Sequence, residues 1–180
     1  MPRYLQAERS APFTVRCTDV NVVLDLMIHD LDIVTDLAGS RPAEVSAAGA
    51  SVITKELDAV TARIRFENGC VSDVTASRVS DEKKRVLRIF DGDAVYSADF
   101  QTQRAVRSRP VSGPAPELKA EELSSERKDT LYEEIADFLR CIRSQVQPAI
   151  GGREGRNALA LATLITKSIT EGRTGFVPVR

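Results

Sequence analysis

Six short runs, at residues 44–52, 57–66, 70–79, 85–90, 94–100 and 103–106, are rich in β-branched residues and alternate in polarity. Asn68-Gly69 and Asp91-Gly92 each fall between two of these runs and supply residues that accept positive φ, the signal for tight hairpins. Consecutive hairpins require antiparallel neighbours, so the middle of the chain is constrained to a sheet. The alternation is clearest where Val60, Ala62, Ile64 and Phe66 interleave with Thr61, Arg63 and Arg65, which predicts one apolar face and one polar face.

The flanks of this sheet read differently. Residues 3–9 form an opening strand and 10–18 a connector; 19–37 carry apolar residues at helical spacing until Gly39 and Pro42 stop them. Pro110, Pro114 and Pro116 mark 109–122 as a surface loop with room for a short edge strand. The pattern Thr130-x-x-Glu133 predicts a capping box that opens a helix burying Leu131, Ile135, Phe138, Leu139 and Ile142. After Gly151-Gly152 a second helix is expected to bury Leu159, Ala162, Ile165 and Ile169, to end at Gly172, and to lead into an extended tail, Phe176-Val177-Pro178-Val179. The expected class is α+β, one domain over residues 1–180. Its mostly antiparallel open sheet has about six or more strands and helices packed on one face. The other face needs a cover, from another domain or another subunit.

Charge and cysteine usage narrow the function. Twenty-five basic and 26 acidic side chains give a net charge of −1, so there is no electrostatic reason to expect nucleic acid or an anionic membrane as partner. Cys17, Cys70 and Cys141 are far apart and form no C-x-x-C pair, which signals neither a disulfide framework nor zinc and suits a reducing cytoplasm. No apolar run approaches the length of a membrane span, and no export signal opens the chain. The chain starts almost directly in a strand, as if entered in the middle of something larger.

On a helical wheel Asp25, His29, Asp32 and Asp36 fall on one stripe. A carboxylate one turn before the only histidine can accept its N–H and fix its tautomer, as a general acid or base on a hydroxyl requires. The same stripe is what any amphipathic surface helix shows, and both readings stay open on spacing alone. A metal shell from Asp25, His29 and Asp32 is disfavoured, because one histidine with carboxylates on a single helix seldom closes coordination unaided. Asp30 lies inside the apolar arc, which predicts a basic or backbone partner and a structural role.

Taken with these elements, Asp25-Leu26-Met27-Ile28-His29-Asp30 resembles the Asp-x-x-x-His-Asp helix of the Gfo/Idh/MocA family (glucose-fructose oxidoreductase, inositol dehydrogenase, rhizopine catabolism). The phrase Ile64-Arg65-Phe66-Glu67-Asn68-Gly69, the helix around residues 132–143 and Gly152-x-x-Gly155 extend the likeness over essentially the whole chain. The resemblance implies a dihydrodipicolinate-reductase-like C-terminal domain of an NAD- or NADP-dependent dehydrogenase acting on a small-molecule sugar or cyclitol. In it His29 exchanges a proton with the substrate hydroxyl, and Asp25 orients the imidazole or binds a neighbouring hydroxyl. The phrasing around 4–9 and 23–33 resembles a branch that oxidises nucleotide sugars such as UDP-N-acetylglucosamine at the 3-hydroxyl. Arg9 and Arg16, flanking the helix, are candidate contacts to sugar or phosphate.

The family's N-terminal Rossmann domain, with its glycine-rich turn and catalytic lysine, has no counterpart in the sequence; Gly151 to Gly155 reads as a turn that opens a helix. The resemblance therefore implies a dinucleotide bound mainly by a domain outside this chain, inactivity of the chain alone, and a homo-oligomer built through the open sheet face. A non-catalytic dimerisation or scaffold module of the same fold is the alternative.

Overall fold

The computed structural model describes every residue except 113, 114, 116, 124–126, 173, 174 and 177–180. After β1 (Tyr4–Ser10), a π-helical turn (Val23–Met27) runs directly into α1 (Ile28–Ala38). Seven strands follow: β2 (Pro42–Ala50), β3 (Ala59–Phe66), β4 (Val71–Ser77), β5 (Lys84–Asp91), β6 (Ala94–Asp99), β7 (Arg104–Val111) and β8 (Glu117–Glu122). The chain closes with α2 (Thr130–Ser144), α3 (Gly152–Glu171) and the two-residue β9 (Gly175–Phe176).

All the strands join one sheet in the order β8-β7-β6-β5-β1-β4-β3-β2-β9, the α+β architecture expected. The hairpins form where the turn residues lie: Gly69, at φ 87°, links β3 to β4, and Asp91 Oδ1 accepts the Gly92 N–H between β5 and β6. One pairing is not antiparallel. β1 lies between the β3–β4 hairpin and the β5–β8 meander, parallel to β4 and antiparallel to β5. Hairpin signals concern neighbours in sequence and are silent on a strand inserted from 67 residues away.

One sheet face carries the core: Leu5, Ala7, Val60, Ala62, Ile64, Phe66 and Val74 pack with Met27, Leu31 and Val34 of the first helix and Leu161, Ala162 and Ile165 of α3. The opposite face mixes ion pairs with apolar side chains, among them Tyr4 and Phe90, whose rings lie 5.2 Å apart. Arg63 forks onto Asp73 at 2.7 and 2.6 Å, Tyr4 donates its hydroxyl to the same carboxylate at 2.8 Å, and Arg65 Nε donates to Glu44 at 2.9 Å.

Several sequence expectations are corrected. The helix starts at Val22 and not at 19, with Asn21 Oδ1 accepting the N–H groups of Val23 and Leu24. β7 continues through Pro110 to Val111, which shortens the expected surface loop; the short edge strand allowed for within it is β8, held by the Arg107–Glu121 and Arg104–Glu122 pairs. Asp129 caps α2 by accepting from Leu131 and Tyr132, so Thr130-x-x-Glu133 is not the capping box. Leu131, Ile135, Phe138, Leu139 and Ile142 are exposed, Phe138 at 58%, and Leu159 of α3 is half exposed; Ala162 and Ile165 are buried as expected. Apolar periodicity states which side of a helix needs a partner, not that the same chain supplies one. Gly151 opens α3 and Gly172, at φ 62°, ends it. Pro114, Pro116 and the tail 177–179 lie outside the described residues.

Candidate active site

The parallel pairing of β1 with β4 brings Ser10 and Ser77 to the same end of the sheet, where the β2–β3 connection also turns. Arg78, buried immediately after β4, acts as a staple at this end. Its Nη1 donates to Cys17 O at 2.7 Å, its Nη2 to Val20 O and Leu57 O, and its Nε lies 3.6 Å from Asp58 Oδ1. Asp58, fully buried, accepts the N–H groups of Val52, Ile53 and Thr54 at 2.7 to 2.9 Å and the Thr54 hydroxyl at 2.7 Å. Burial pushes the Asp58 carboxyl up, but the Thr54 N–H and hydroxyl and the Val52 and Ile53 N–H groups outweigh it and hold the carboxyl well below its ordinary value. The Val22 N–H donates to Leu57 O at 2.9 Å. Two loops and one buried ion pair thus fix where the helix begins. Sequence reasoning missed Asn21, Asp58 and Arg78; only Asn21, just before an apolar run, carried a local signal, that of a helix cap.

Asp25 and His29 follow from this anchored start. Asp25 lies inside the π-helical turn, whose Val23 carbonyl accepts the Ile28 N–H five residues on. The wider turn displaces Asp25 from the α-helical wheel, and no hydrogen bond joins it to His29; Asp25 is half-buried and His29 exposed. Lower on the helix, Asp32 is half-buried and Asp36 exposed. Burial, then the charges of Asp36 and of Glu154 on α3, push the Asp32 carboxyl up. Single π-turns are rare and occur frequently at functional sites, which gives Asp25 a second reason to be considered beside its spacing.

Asp30 has the basic partner expected of it. Arg9 Nε and Nη2 donate to its two carboxylate oxygens at 2.7 and 2.9 Å, and both residues are buried. Arg9, a candidate contact to sugar or phosphate on sequence, is here turned onto Asp30 and ties β1 to the helix beneath His29. Arg16 is exposed in the β1–α1 connection. Because lysine cannot reproduce a bidentate fork, Arg9→Lys should cost about 1.5 kcal/mol, read as a lowered urea midpoint with an unchanged slope.

A dinucleotide pyrophosphate needs a glycine-rich turn between a strand and a helix N-terminus, with free N–H groups. The Gly151–Gly155 cluster follows a helix, and the Gly151 N–H is already donated to the Glu154 carboxylate at 2.8 Å, a negative charge where phosphate would lie. These residues do not fit a dinucleotide. Among the described residues no three His, Cys, Asp or Glu side chains gather as a metal shell, and no helix is long and apolar enough to cross a membrane.

Comparison with known proteins agrees with this geometry. UDP-N-acetylglucosamine 3-dehydrogenase from Acidithiobacillus ferrooxidans is 37% identical over 171 residues, which cover 93% of this chain and 55% of that relative. Its solved structure superposes with a TM-score of 0.88 over 94% of this chain and 55% of its own. Myo-inositol 2-dehydrogenase from Thermotoga maritima is 26% identical over 85% of this chain and 48% of its own length. At 13% identity, levoglucosan dehydrogenase in complex with NADH shares the fold, with a TM-score of 0.84 over 99% of this chain and 59% of its own. The chain spans about half the length of the curated relatives it matches. The family profile described as GFO/IDH/MocA C-terminal domain matches residues 4–94, just over half of the chain. The chain therefore belongs to the Gfo/Idh/MocA family of oxidoreductases and carries its C-terminal domain.

Proposed function

We propose that this chain is the substrate-binding and oligomerisation half of an NAD(P)-dependent dehydrogenase acting on a sugar or nucleotide sugar, with the 3-hydroxyl of UDP-N-acetylglucosamine as its leading substrate. Alone, it is inactive. The observation that carries this reading is an exposed, lone histidine one turn after a half-buried aspartate, on a helix whose start is pinned by buried ion pairs and interrupted by a π-turn. A rigid helix is what holds a proton-transfer group within reach of a hydroxyl. His29 takes the proton from that hydroxyl, Asp25 hydrogen-bonds a neighbouring hydroxyl or the imidazole, and Arg16 meets the sugar or its phosphate. The nicotinamide dinucleotide supplies the hydride acceptor when bound, and an N-terminal domain holds it.

The test joins this chain to the part of the Acidithiobacillus enzyme outside the match and follows nicotinamide reduction with UDP-N-acetylglucosamine and, separately, myo-inositol. Turnover of the nucleotide sugar by the hybrid and none by the chain alone is expected. A folded hybrid that oxidises neither sugar would count against the reading, and turnover by the chain alone would overturn the claim that it is a half-site.

A second reading, a non-catalytic dimerisation module, is favoured by the nine-stranded sheet, one face of which has no covering element among the described residues. It predicts a dimer by light scattering that persists when His29 is replaced, with no turnover in any hybrid.

A further inference from the structure

Helix α2 is the least satisfied element of the fold. Leu131, Ile135, Phe138 and Ile142 recur at i, i+4, i+7 and i+11, which puts them on one stripe, with Leu139 beside it; all five are exposed. The stripe continues in exposed Val146 and Ile150 of the following loop. The buried residue of the helix is Cys141, whose thiol donates to Asp137 one turn back on the same helix. A 15-residue helix is marginal in water by itself, and an apolar stripe of this length is not left bare in a finished protein.

We infer that the apolar stripe of α2 is the docking surface for the dinucleotide-binding domain of the assembled enzyme, supplied in the same polypeptide or by another; this rests on the function proposed above. Two observations choose that occupant over a second copy of the chain. The match to the Acidithiobacillus structure leaves out only 6% of this chain, about 11 residues, fewer than the 15 of α2, so at least part of the helix falls within the stretch matched to that longer protein. The 45% of that protein outside the match is ~140 residues, the size of a whole domain. A helix held away from its own sheet in a protein with a further domain leaves room for that domain.

The experiment compares Phe138→Glu and Ile135→Glu in the hybrid enzyme and in this chain alone. In the chain alone the substitutions leave the thermal midpoint and the mass by light scattering unchanged, because both side chains already face water, and the α2 amides exchange rapidly with deuterium. In the hybrid they lower α2 amide protection at least about tenfold and split thermal unfolding into two transitions. Unchanged α2 protection in the hybrid variants overturns the inference. So does α2 protection in the wild-type chain alone: if it rises with concentration and disappears with the dimer in Phe138→Glu, a second copy is the occupant, and if it is independent of concentration, the chain covers the stripe itself. This last measurement decides even if the hybrid fails to fold. Because the readout is protection and not turnover, the docking and the dehydrogenase reading fail separately. A hybrid that turns over and loses activity with His29→Ala but keeps α2 protection in Phe138→Glu removes the docking alone.

Discussion

His29→Ala in the hybrid dehydrogenase is expected to lower turnover of UDP-N-acetylglucosamine about 10³-fold, the middle of the range for removing a positioned acid–base group. The thermal midpoint should not move. The ring is exposed and makes no hydrogen bond within the described chain, so its removal opens no cavity and leaves no partner unpaired. That separation gives the test its force: a large kinetic loss without a stability loss is the mark of a group acting on substrate. Retained turnover would remove His29 from the reaction and leave Asp25 and the π-turn without the role proposed for them. A parallel fall in stability would point to structure instead. The kinetic loss should appear in kcat more than in KM if the imidazole acts in proton transfer and not in binding alone.

The largest stability effect is expected at Asp58. Asp58→Ala removes one partner of a buried ion pair and strips three backbone N–H groups of their acceptor, leaving the Arg78 guanidinium buried beside no charge. Breaking such a pair from one side costs about 4 kcal/mol, to be read from urea unfolding near neutral pH. The pH dependence follows from the lowered carboxyl. A group whose folded-state value lies below its unfolded value near 4 contributes its full stability above that value. It loses this contribution as pH falls from there toward the folded value. The gap between wild type and Asp58→Asn should therefore be constant across neutral pH and narrow below about pH 4. A gap that stayed constant through the acid range would show that the carboxylate charge is not what holds the loop. Because the same cluster anchors Val22, and through it the turn that carries Asp25, the alanine variant should also blur the placement of the candidate site.

What could be read from the residues was local. Alternation at 59–66 and 71–77, the two turn dipeptides and the glycines that bound α3 fixed elements and faces, because side-chain period and φ preference act within a few residues. The Asp-x-x-x-His-Asp phrase pointed to the family for the same reason: it lies on one continuous helix. The place of β1 between β4 and β5, the fork of Arg9 on Asp30 and the staple of Arg78 across three segments join residues 21 to 86 positions apart, and no local pattern reports such pairings. The tertiary structure alone decided that Arg9 supports the helix, that a π-turn offsets Asp25, and that the apolar stripe of α2 is left uncovered. Burial depends on what else folds nearby, whereas periodicity depends only on the chain's own helix.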